Sequence, residues 1–188
     1  MSSDKKYEEH AYVLDYLPLG KPSTGKATFR ATPVVQLLGE EYFTLLEAEA
    51  ERETTLELRE RIYVGKTMPR DKVSHITGRI NYDDLTSTAK SELPFVVENI
   101  VSNQKDRFIK FFNEAQAITS RMHALELLPG IGKKYMWMIL DQRERRPFTS
   151  FKDLQERVMI PDPMKIVCKR ILDELTEEPK YRIFTRPF

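Results

Sequence analysis

The 188-residue chain contains a single cysteine, Cys168. One cysteine excludes an internal disulfide bond and any zinc or iron–sulfur site built from several thiolates. The apolar residues around Cys168 predict a thiol packed in a core. The three histidines, His10, His75 and His123, are far apart and have no close histidine or cysteine neighbour. We therefore predict neither a metal site nor a cofactor.

Long apolar runs and nucleotide-binding glycine loops are also absent. No apolar run approaches the roughly 20 residues that a membrane-spanning helix needs. The charged N-terminus does not resemble a secretory signal peptide. No glycine pattern of the Walker or Rossmann kind occurs. The sequence therefore predicts a cytoplasmic globular protein with no membrane partner.

Charge of one sign does not dominate, because 30 basic residues stand against 29 acidic ones. The distribution along the chain is uneven. Residues 40–60 hold eight acids and two bases, whereas residues 120–170 hold eleven bases and six acids. The C-terminal part is thus the end of the chain that suits a polyanionic partner.

The first 84 residues have the pattern of β structure, with a proline- and glycine-containing loop at 18–27. Runs rich in β-forming residues occupy 11–17, 32–38, 42–50, 55–64 and 74–82. The third and fourth runs predict one long hairpin, because apolar residues alternate along the fourth. Five short strands predict an OB-like barrel over residues 1–84, although the pattern alone does not distinguish a barrel from a sandwich.

The remainder of the chain is helical by pattern, so the predicted fold class is α+β. Residues 85–114 predict connecting helices, the first capped by a residue within 86–88. Pro94 either lies in a first turn or separates two short helices. Phe108, Ile109, Phe111 and Phe112 predict another short helix.

Residues 115–176 predict a helical domain of two helix-hairpin-helix units. The second unit is degenerate, with one helix capped by Ser150 and another over Met164–Leu175. Residues 177–188 predict an aromatic, strand-like tail.

The stretch 125–140 carries the clearest functional signal, Leu-Glu-Leu-Leu-Pro-Gly-Ile-Gly-Lys-Lys-Tyr-Met-Trp-Met-Ile-Leu. Gly130 permits the turn, Ile131 is an apolar peg beneath it, and Gly132 opens a helix. Amides at a helix N-terminus lack helical partners and favour a phosphate oxygen. Lys133 and Lys134 add positive charge. The pattern indicates a helix-hairpin-helix that holds a nucleic-acid backbone, the alternative being an ordinary αα-hairpin with a glycine turn.

Further basic residues extend this predicted surface, although charged residues also cover surfaces without a partner. The nucleic-acid-binding candidates beyond the hairpin are Arg143, Arg145 and Arg146, followed by Lys165, Lys169 and Arg170. Residues 135–140 are apolar without a break, which is typical of a helix buried on several sides. We therefore expect Trp137 and Met138 to be buried.

Several other residues have two interpretations each. Asp83-Asp84 could bind a cation or form a turn and cap, and the latter is favoured. Asp153 has the spacing of a catalytic aspartate in helix-hairpin-helix glycosylases, but its context is typical of a first helical turn. The rings of Tyr12, Tyr16, Phe43 and Tyr63 could stack on bases or pack in the core.

The chain also resembles an uncharacterised archaeal protein family that pairs an OB-like barrel with a helix-hairpin-helix. The resemblance rests on Ile80–Thr86, Glu92–Val97, Phe108–Asn113 and the 125–140 stretch. It implies nucleic-acid binding, to RNA rather than DNA and near translation, without a known activity. We predict a non-enzymatic nucleic-acid-binding protein. The alternatives are a protein–protein adaptor and a structure-specific DNA-binding protein in repair.

Overall fold

The computed structural model describes residues 6–21 and 32–186. Residues 1–5, 22–31 and 187–188 lie outside the described residues, and so does most of the loop predicted at 18–27. The chain divides into two compact units. The first unit, which we call the half-barrel unit, comprises Met1–Val96 and Phe184–Phe188, and the second, the helical unit, comprises Val97–Ile183. The protein is of the mixed α+β class.

A curled, five-stranded antiparallel sheet forms the half-barrel unit. The strands are β1 (His10–Leu17), β2 (Val34–Gly39), β3 (Leu45–Ala50), β4 (Arg61–Tyr63) and β5 (Val73–Arg79). Their order across the sheet is β4-β1-β2-β3-β5, so β4 and β5 are its edges. The apolar core of the unit includes Val13, Leu37, Ala48 and Ile62. Five strands were expected in this region, and the described residues contain five.

The prediction that residues 42–50 and 55–64 form one long hairpin is wrong. β3 pairs with β2 and β5, whereas β4 pairs with β1, with Ala11 opposite Ile62. The connection between β3 and β4 contains Glu53 and Arg59, both of which have positive φ. The Arg59 amide then donates to the Val13 carbonyl at 2.8 Å and directs the chain towards β1. The alternating pattern specified which residues face the core but did not specify the partner strand.

Five α-helices and a small second sheet complete the described chain. The helices are α1 (Ser87–Asn103), α2 (Lys105–Glu114), α3 (Lys133–Arg145), α4 (Phe151–Val158) and α5 (Pro163–Thr176). Two short 3-10 helices cover Tyr82–Asp84 and Ala124–Leu127. Two short antiparallel strands, β6 (Ala117–Thr119) and β7 (Met122–His123), form the second sheet.

The first helix differs from both readings of Pro94. Pro94 lies in the middle of α1, and the helix continues through it to Asn103. Buried apolar residues on both sides of the proline, Leu93, Val97 and Ile100, stabilise the helix across that position. The predicted start is confirmed, because the Thr86 hydroxyl accepts a hydrogen bond from the Ala89 amide at 3.0 Å.

The predicted cap of α4 is confirmed, and α5 has a cap that the sequence pattern had not identified. The Ser150 hydroxyl accepts a hydrogen bond from the Asp153 amide at 3.0 Å, and α4 starts at the next residue. Asp162 caps α5 through the amides of Met164 and Lys165, with Pro163 in the first helical position. Both are local signals, since each cap lies within three residues of the amides that it satisfies.

The described part of the C-terminal tail is not a strand, which corrects the prediction for residues 177–188. Instead, a buried ion pair on α5 holds it to the helical unit. Arg170 Nε donates to Glu174 Oε1 at 2.9 Å, and the same oxygen accepts the Ile183 amide at 2.7 Å. Arg170 also donates to the carbonyls of Tyr181 and Leu127. Side-chain acceptors and donors of α5 thus hold the tail at Tyr181 and Ile183.

Cys168 lies on α5 and is half-buried, so the predicted core thiol is only partly enclosed. Burial, together with the carboxylates of Glu98 and Asp162, raises the pKa of Cys168 to about 12. Since the thiolate is the reactive form, we expect native Cys168 to resist iodoacetamide at pH 8 and to react once the protein is unfolded. Mass spectrometry of the alkylated protein measures this. Stoichiometric labelling of the folded chain within minutes would contradict it.

No described helix is long and apolar enough to cross a membrane. Within residues 6–21 and 32–186, histidine, cysteine and acidic side chains form no group of three that could hold a metal ion.

Candidate functional site

The segment before α3 contains less helix than the helix-hairpin-helix pattern predicted. Only the 3-10 turn Ala124–Leu127 precedes Pro129, because residues 117–123 are taken by the hairpin of β6 and β7. A reciprocal cap holds this turn. His123 Nδ1 accepts the Leu125 amide at 3.1 Å, and the Glu126 carboxylate accepts the His123 amide at 2.8 Å. Desolvation and the nearby charge of Arg143 lower the pKa of His123, which favours the neutral, accepting imidazole.

The turn into α3 has the geometry that its glycines and isoleucine predict. Gly130 has a φ of 77°, a conformation that L-residues with a side chain rarely adopt. Ile131 is buried, and its amide donates to the Leu128 carbonyl at 3.1 Å. The turn is therefore fixed from below by Ile131 and exposes its backbone above.

The N-terminus of α3 is open. The first helical hydrogen bond runs from the Met136 amide to the Gly132 carbonyl at 2.9 Å. The four preceding amides, those of residues 132–135, donate to no group in the described part of the chain. A Cβ built on Gly132 would meet nothing within 4 Å, and its φ of −90° is open to any residue. Packing within this chain therefore does not require a glycine at position 132.

The two lysines at this N-terminus differ in their surroundings. Lys133 Nζ donates to Glu126 at 2.9 Å and to the Arg121 carbonyl at 3.1 Å. Lys134 is exposed and pairs with no carboxylate among the described residues, its Nζ lying 5.9 Å from the ring centroid of Tyr135. Lys134 is therefore the lysine whose charge is available to an incoming anion.

The three predicted arginines of α3 and its C-terminus have separate partners. Arg143 donates to the Phe112 and Ala115 carbonyls and so closes the C-terminus of α2, while desolvation lowers its pKa. Arg145 pairs with Asp141 at 2.9 Å and Arg146 with Asp153 at 3.2 Å. The structure therefore gives Arg143 a structural role, whereas Arg145 and Arg146 remain on the surface.

The expectation that Trp137 is buried is wrong, because 65% of its surface is exposed. The buried face of α3 is formed by Met136 and Ile139. Trp137 lies about 100° around the helix from Met136, and its neighbours at i−4 and i−3 are Lys133 and Lys134. Because residues 135–140 are all apolar, the sequence did not show which of them face the core. Trp137 is thus a site residue that sequence reasoning placed in the core.

Arg121 is a second residue that sequence reasoning missed. It lies in the turn between β6 and β7, is exposed, and its carbonyl accepts the Lys133 ammonium. Only the three-dimensional path of the hairpin brings it to the start of α3, since twelve residues separate Arg121 from Lys133 along the chain.

Asp153 has the surroundings of a structural carboxylate. Desolvation alone would raise its pKa, but the Thr149 amide, Arg157 and Arg146 lower it below the ordinary value. The Thr149 amide and Arg157 Nη1 both donate to Oδ2 at 3.1 Å. The carboxylate thus links the start of α4 to the end of α3.

The remaining sequence candidates have structural partners as well. Asp84 takes part in the cap of the 3-10 turn Tyr82–Asp84, as the turn interpretation favoured. Tyr12 and Phe43 are buried, in keeping with core packing. The Tyr16 hydroxyl donates to the Thr54 carbonyl, and the Tyr63 hydroxyl bonds Thr67.

Comparison with known proteins identifies relatives over almost the whole chain. A family model described as "Protein of unknown function (DUF655)" matches residues 7–186. The uncharacterized protein MJ0038 of Methanocaldococcus jannaschii is 47% identical over 184 residues, which are 97% of this chain and 82% of that protein. The crystal structure of Af1531 from Archaeoglobus fulgidus, described as DUF655, aligns with a TM-score of 0.85 at 44% identity, covering 95% of this chain and 100% of that one.

Proposed function

The chain belongs to the DUF655 family, whose matched relatives are archaeal, and for this member we propose a non-enzymatic role in binding nucleic acid. The binding group is the turn Pro129–Gly132 with the open N-terminus of α3. Its backbone amides receive a phosphate oxygen, and Lys134 supplies charge beside it.

One observation carries the proposal: four consecutive amides at residues 132–135 have no partner in the described chain, at a helix start whose N-cap is glycine. A serine or aspartate at position 132 would satisfy one or two of them internally, as Ser150 does with one amide of α4 and Asp162 with two of α5. The open space around Gly132 would accommodate such a side chain. Its absence leaves donors and the positive end of the helix dipole directed at solvent, an arrangement that favours an anion.

The architecture that we propose is an OB-like half-barrel followed by a helix-hairpin-helix. The five-stranded, open antiparallel sheet supports the first part. The turn with Gly130 at positive φ and the buried Ile131 peg supports the second, with a single 3-10 turn in place of the first helix. The choice of RNA, and of a role near translation, rests on the family resemblance alone.

Trp137 adds an aromatic surface to this site. A base attached to a phosphate at residues 132–135 would lie within reach of a ring one helical turn further on. The same exposed ring also suits an apolar protein partner, which is the adaptor alternative. The two differ in salt dependence, since phosphate contacts release counterions and apolar contacts do not.

We expect Lys134→Ala to weaken binding to short single- and double-stranded RNA and DNA and to lower the salt slope by about 1. Lys133→Ala should have a smaller effect, because Glu126 already neutralises Lys133. Trp137 is the chain's only tryptophan, so its intrinsic fluorescence reports ligands at this site. Fluorescence titrations at several salt concentrations measure both effects.

Lys152→Ala is the matched control. Lys152 occupies the second position of α4, as Lys134 does in α3, but α4 is capped by Ser150. Its removal alters the net charge equally and should leave affinity almost unchanged. Equal losses in the Lys134 and Lys152 variants would indicate only a general charge effect. Undiminished binding in the Lys134 variant, or binding that does not respond to salt, would contradict the proposal.

A further inference from the structure

The half-barrel unit contains a cavity of about 650 Å³ that neither the strand pattern nor the hairpin motif predicted. Its floor is apolar and includes Leu46 of β3, Val64 after β4 and Ile76 of β5. These residues belong to, or pack against, the core of the sheet. The cavity therefore lies on the core-facing side of the curled sheet. It is near the two edge strands, β4 and β5, which do not pair with each other. Its size is that of a small-molecule site.

Basic residues surround this floor. The cationic residues of the lining are Lys6, Lys66, Arg70, Arg79 and Arg186. Glu8 is the acidic residue of the described lining, and its carboxylate accepts the amides of Glu41, Tyr42 and Thr44 at 2.8, 3.0 and 3.1 Å. That carboxylate is held by the turn between β2 and β3, and it forms no ion pair with the cations of the described lining.

Arg70 presents a guanidinium held in one orientation. Its Nε donates to the carbonyls of Val64 and Gly65 at 3.2 and 2.9 Å. The two terminal nitrogens donate to no group in the described chain. A fixed guanidinium with two available donors matches the oxygens of a phosphate group. Arg70 and Lys66 also line a second cavity of about 400 Å³, whose described lining includes the acidic residue Glu51.

An aromatic ring lies beside these cations. Lys66 Nζ is 3.6 Å from the centroid of the Tyr7 ring, and 47% of Tyr7 is exposed. Both residues line the 650 Å³ cavity. The lysine covers one face of the ring, and a planar base is a suitable partner for an exposed tyrosine. The cavity thus combines phosphate donors, a ring and an apolar floor.

The acidic stretch 40–60 does not oppose an anion in this cavity. Leu46, Ala48 and Ala50 of β3 are buried, so the intervening Glu47 and Glu49 side chains are on the opposite face of the strand. Glu47 pairs with Lys21. At the other edge of the sheet, Glu40 pairs with Arg61.

We propose that this cavity binds a nucleoside phosphate, either free or as one unit of a single-stranded nucleic acid. Arg70 and Lys66 hold the phosphate, and the base lies against Tyr7 and the apolar floor. An acidic peptide would use the cations but has no planar ring for Tyr7. The site is separate from the N-terminus of α3, because all of its lining residues belong to the half-barrel unit.

Amide chemical shifts of the full-length, ¹⁵N-labelled chain test this directly. The probes are AMP, inorganic pyrophosphate and an oligouridylate of about 12 nucleotides, within the length that one OB fold covers. We expect AMP or the oligouridylate to shift amides of Thr44, Leu46, Ile76 and Gly78. A response to AMP indicates a free mononucleotide ligand, and a response to the oligouridylate alone indicates a polymer. Shifts confined to residues 130–135, or none, would overturn the proposal.

Substitutions distinguish the contacts to the phosphate from the contacts to the base. Lys66→Ala and Arg70→Gln should each weaken the bound probe about tenfold, the typical loss for one charged hydrogen bond. Tyr7→Ala should weaken AMP or the oligouridylate about tenfold while leaving pyrophosphate unchanged. Lys90→Ala is the control, since Lys90 also lies over a tyrosine ring, that of Tyr82, but does not line the cavity.

Each outcome of the substitutions is decisive. Equal losses in the Lys66 and Lys90 variants, or an unchanged AMP-to-pyrophosphate ratio in Tyr7→Ala, would overturn the proposal. Lys66→Ala keeps the test valid if Arg70→Gln disturbs the fold, because the Lys66 side chain holds no backbone group in the described chain. Trp137 fluorescence reports the α3 site independently, so failure of one site is distinguishable from failure of the other.

Discussion

Gly132→Asp should abolish nucleic-acid binding while making the helical unit slightly more stable. Gly132 already has the extended φ and ψ of an N-cap residue, and a side chain there meets open space. An aspartate would accept amides at the start of α3 and interact favourably with the helix dipole, a gain of about 0.5–1 kcal/mol. The same carboxylate would occupy the position proposed for a phosphate. Like charges in contact cost several kcal/mol, so affinity should fall at least about a hundredfold.

Thermal unfolding and fluorescence titration of one protein sample measure the two opposite effects. Gly132→Asn is the matched control, because it supplies a similar cap without the charge. It should raise stability comparably and weaken binding less. Full affinity in a correctly folded Gly132→Asp variant would exclude the hairpin from the binding site and would favour the ordinary αα-hairpin interpretation.

Glu174→Ala should destabilise the helical unit by about 3–5 kcal/mol, the usual effect of removing one partner from a buried ion pair. Glu174 is fully buried, and the change would leave Arg170 without its carboxylate and the Ile183 amide without its acceptor. For a chain of this size, each kcal/mol lowers the melting temperature by roughly 2–4 °C. Circular dichroism on heating, or urea denaturation, measures the change.

The adjacent pair on α5 provides a control of the same geometry. Lys169 and Asp173 are also four residues apart and pair at 3.0 Å, but the lysine side chain is largely exposed. Asp173→Ala should therefore change stability by no more than about 1 kcal/mol. The double variant Arg170→Met/Glu174→Leu should recover much of the loss, because apolar side chains avoid the buried unpaired charge. A loss in Glu174→Ala no greater than that in Asp173→Ala would show that the pair contributes little.

Local signals in the sequence were sufficient for some elements. Ser150 specifies the start of α4, because the cap and the amide that it accepts lie within three residues. Gly130 specified its turn for the same reason, since a glycine tolerates the positive φ that the turn requires. These predictions needed no knowledge of the rest of the fold.

Features that depend on distant residues were missed. β4 pairs with β1, a strand that ends more than 40 residues earlier in the sequence. Trp137 could not be assigned to the exposed face of α3, because six consecutive apolar residues obscure the helical period. The cationic cavity assembles side chains from both ends of the chain, and no spacing rule connects Lys6 with Arg186. The nucleic-acid-binding residues remain predictions from the hairpin motif.

The edges of the five-stranded sheet affect how copies of the protein behave at high concentration. β4 is only three residues long, and β5 has two register shifts against β3 together with Gly78 at a φ of 159°. Neither edge offers the long, flat row of amides and carbonyls that a strand of another molecule needs for pairing. The open sheet is thus protected from edge-to-edge aggregation by its short and irregular margins.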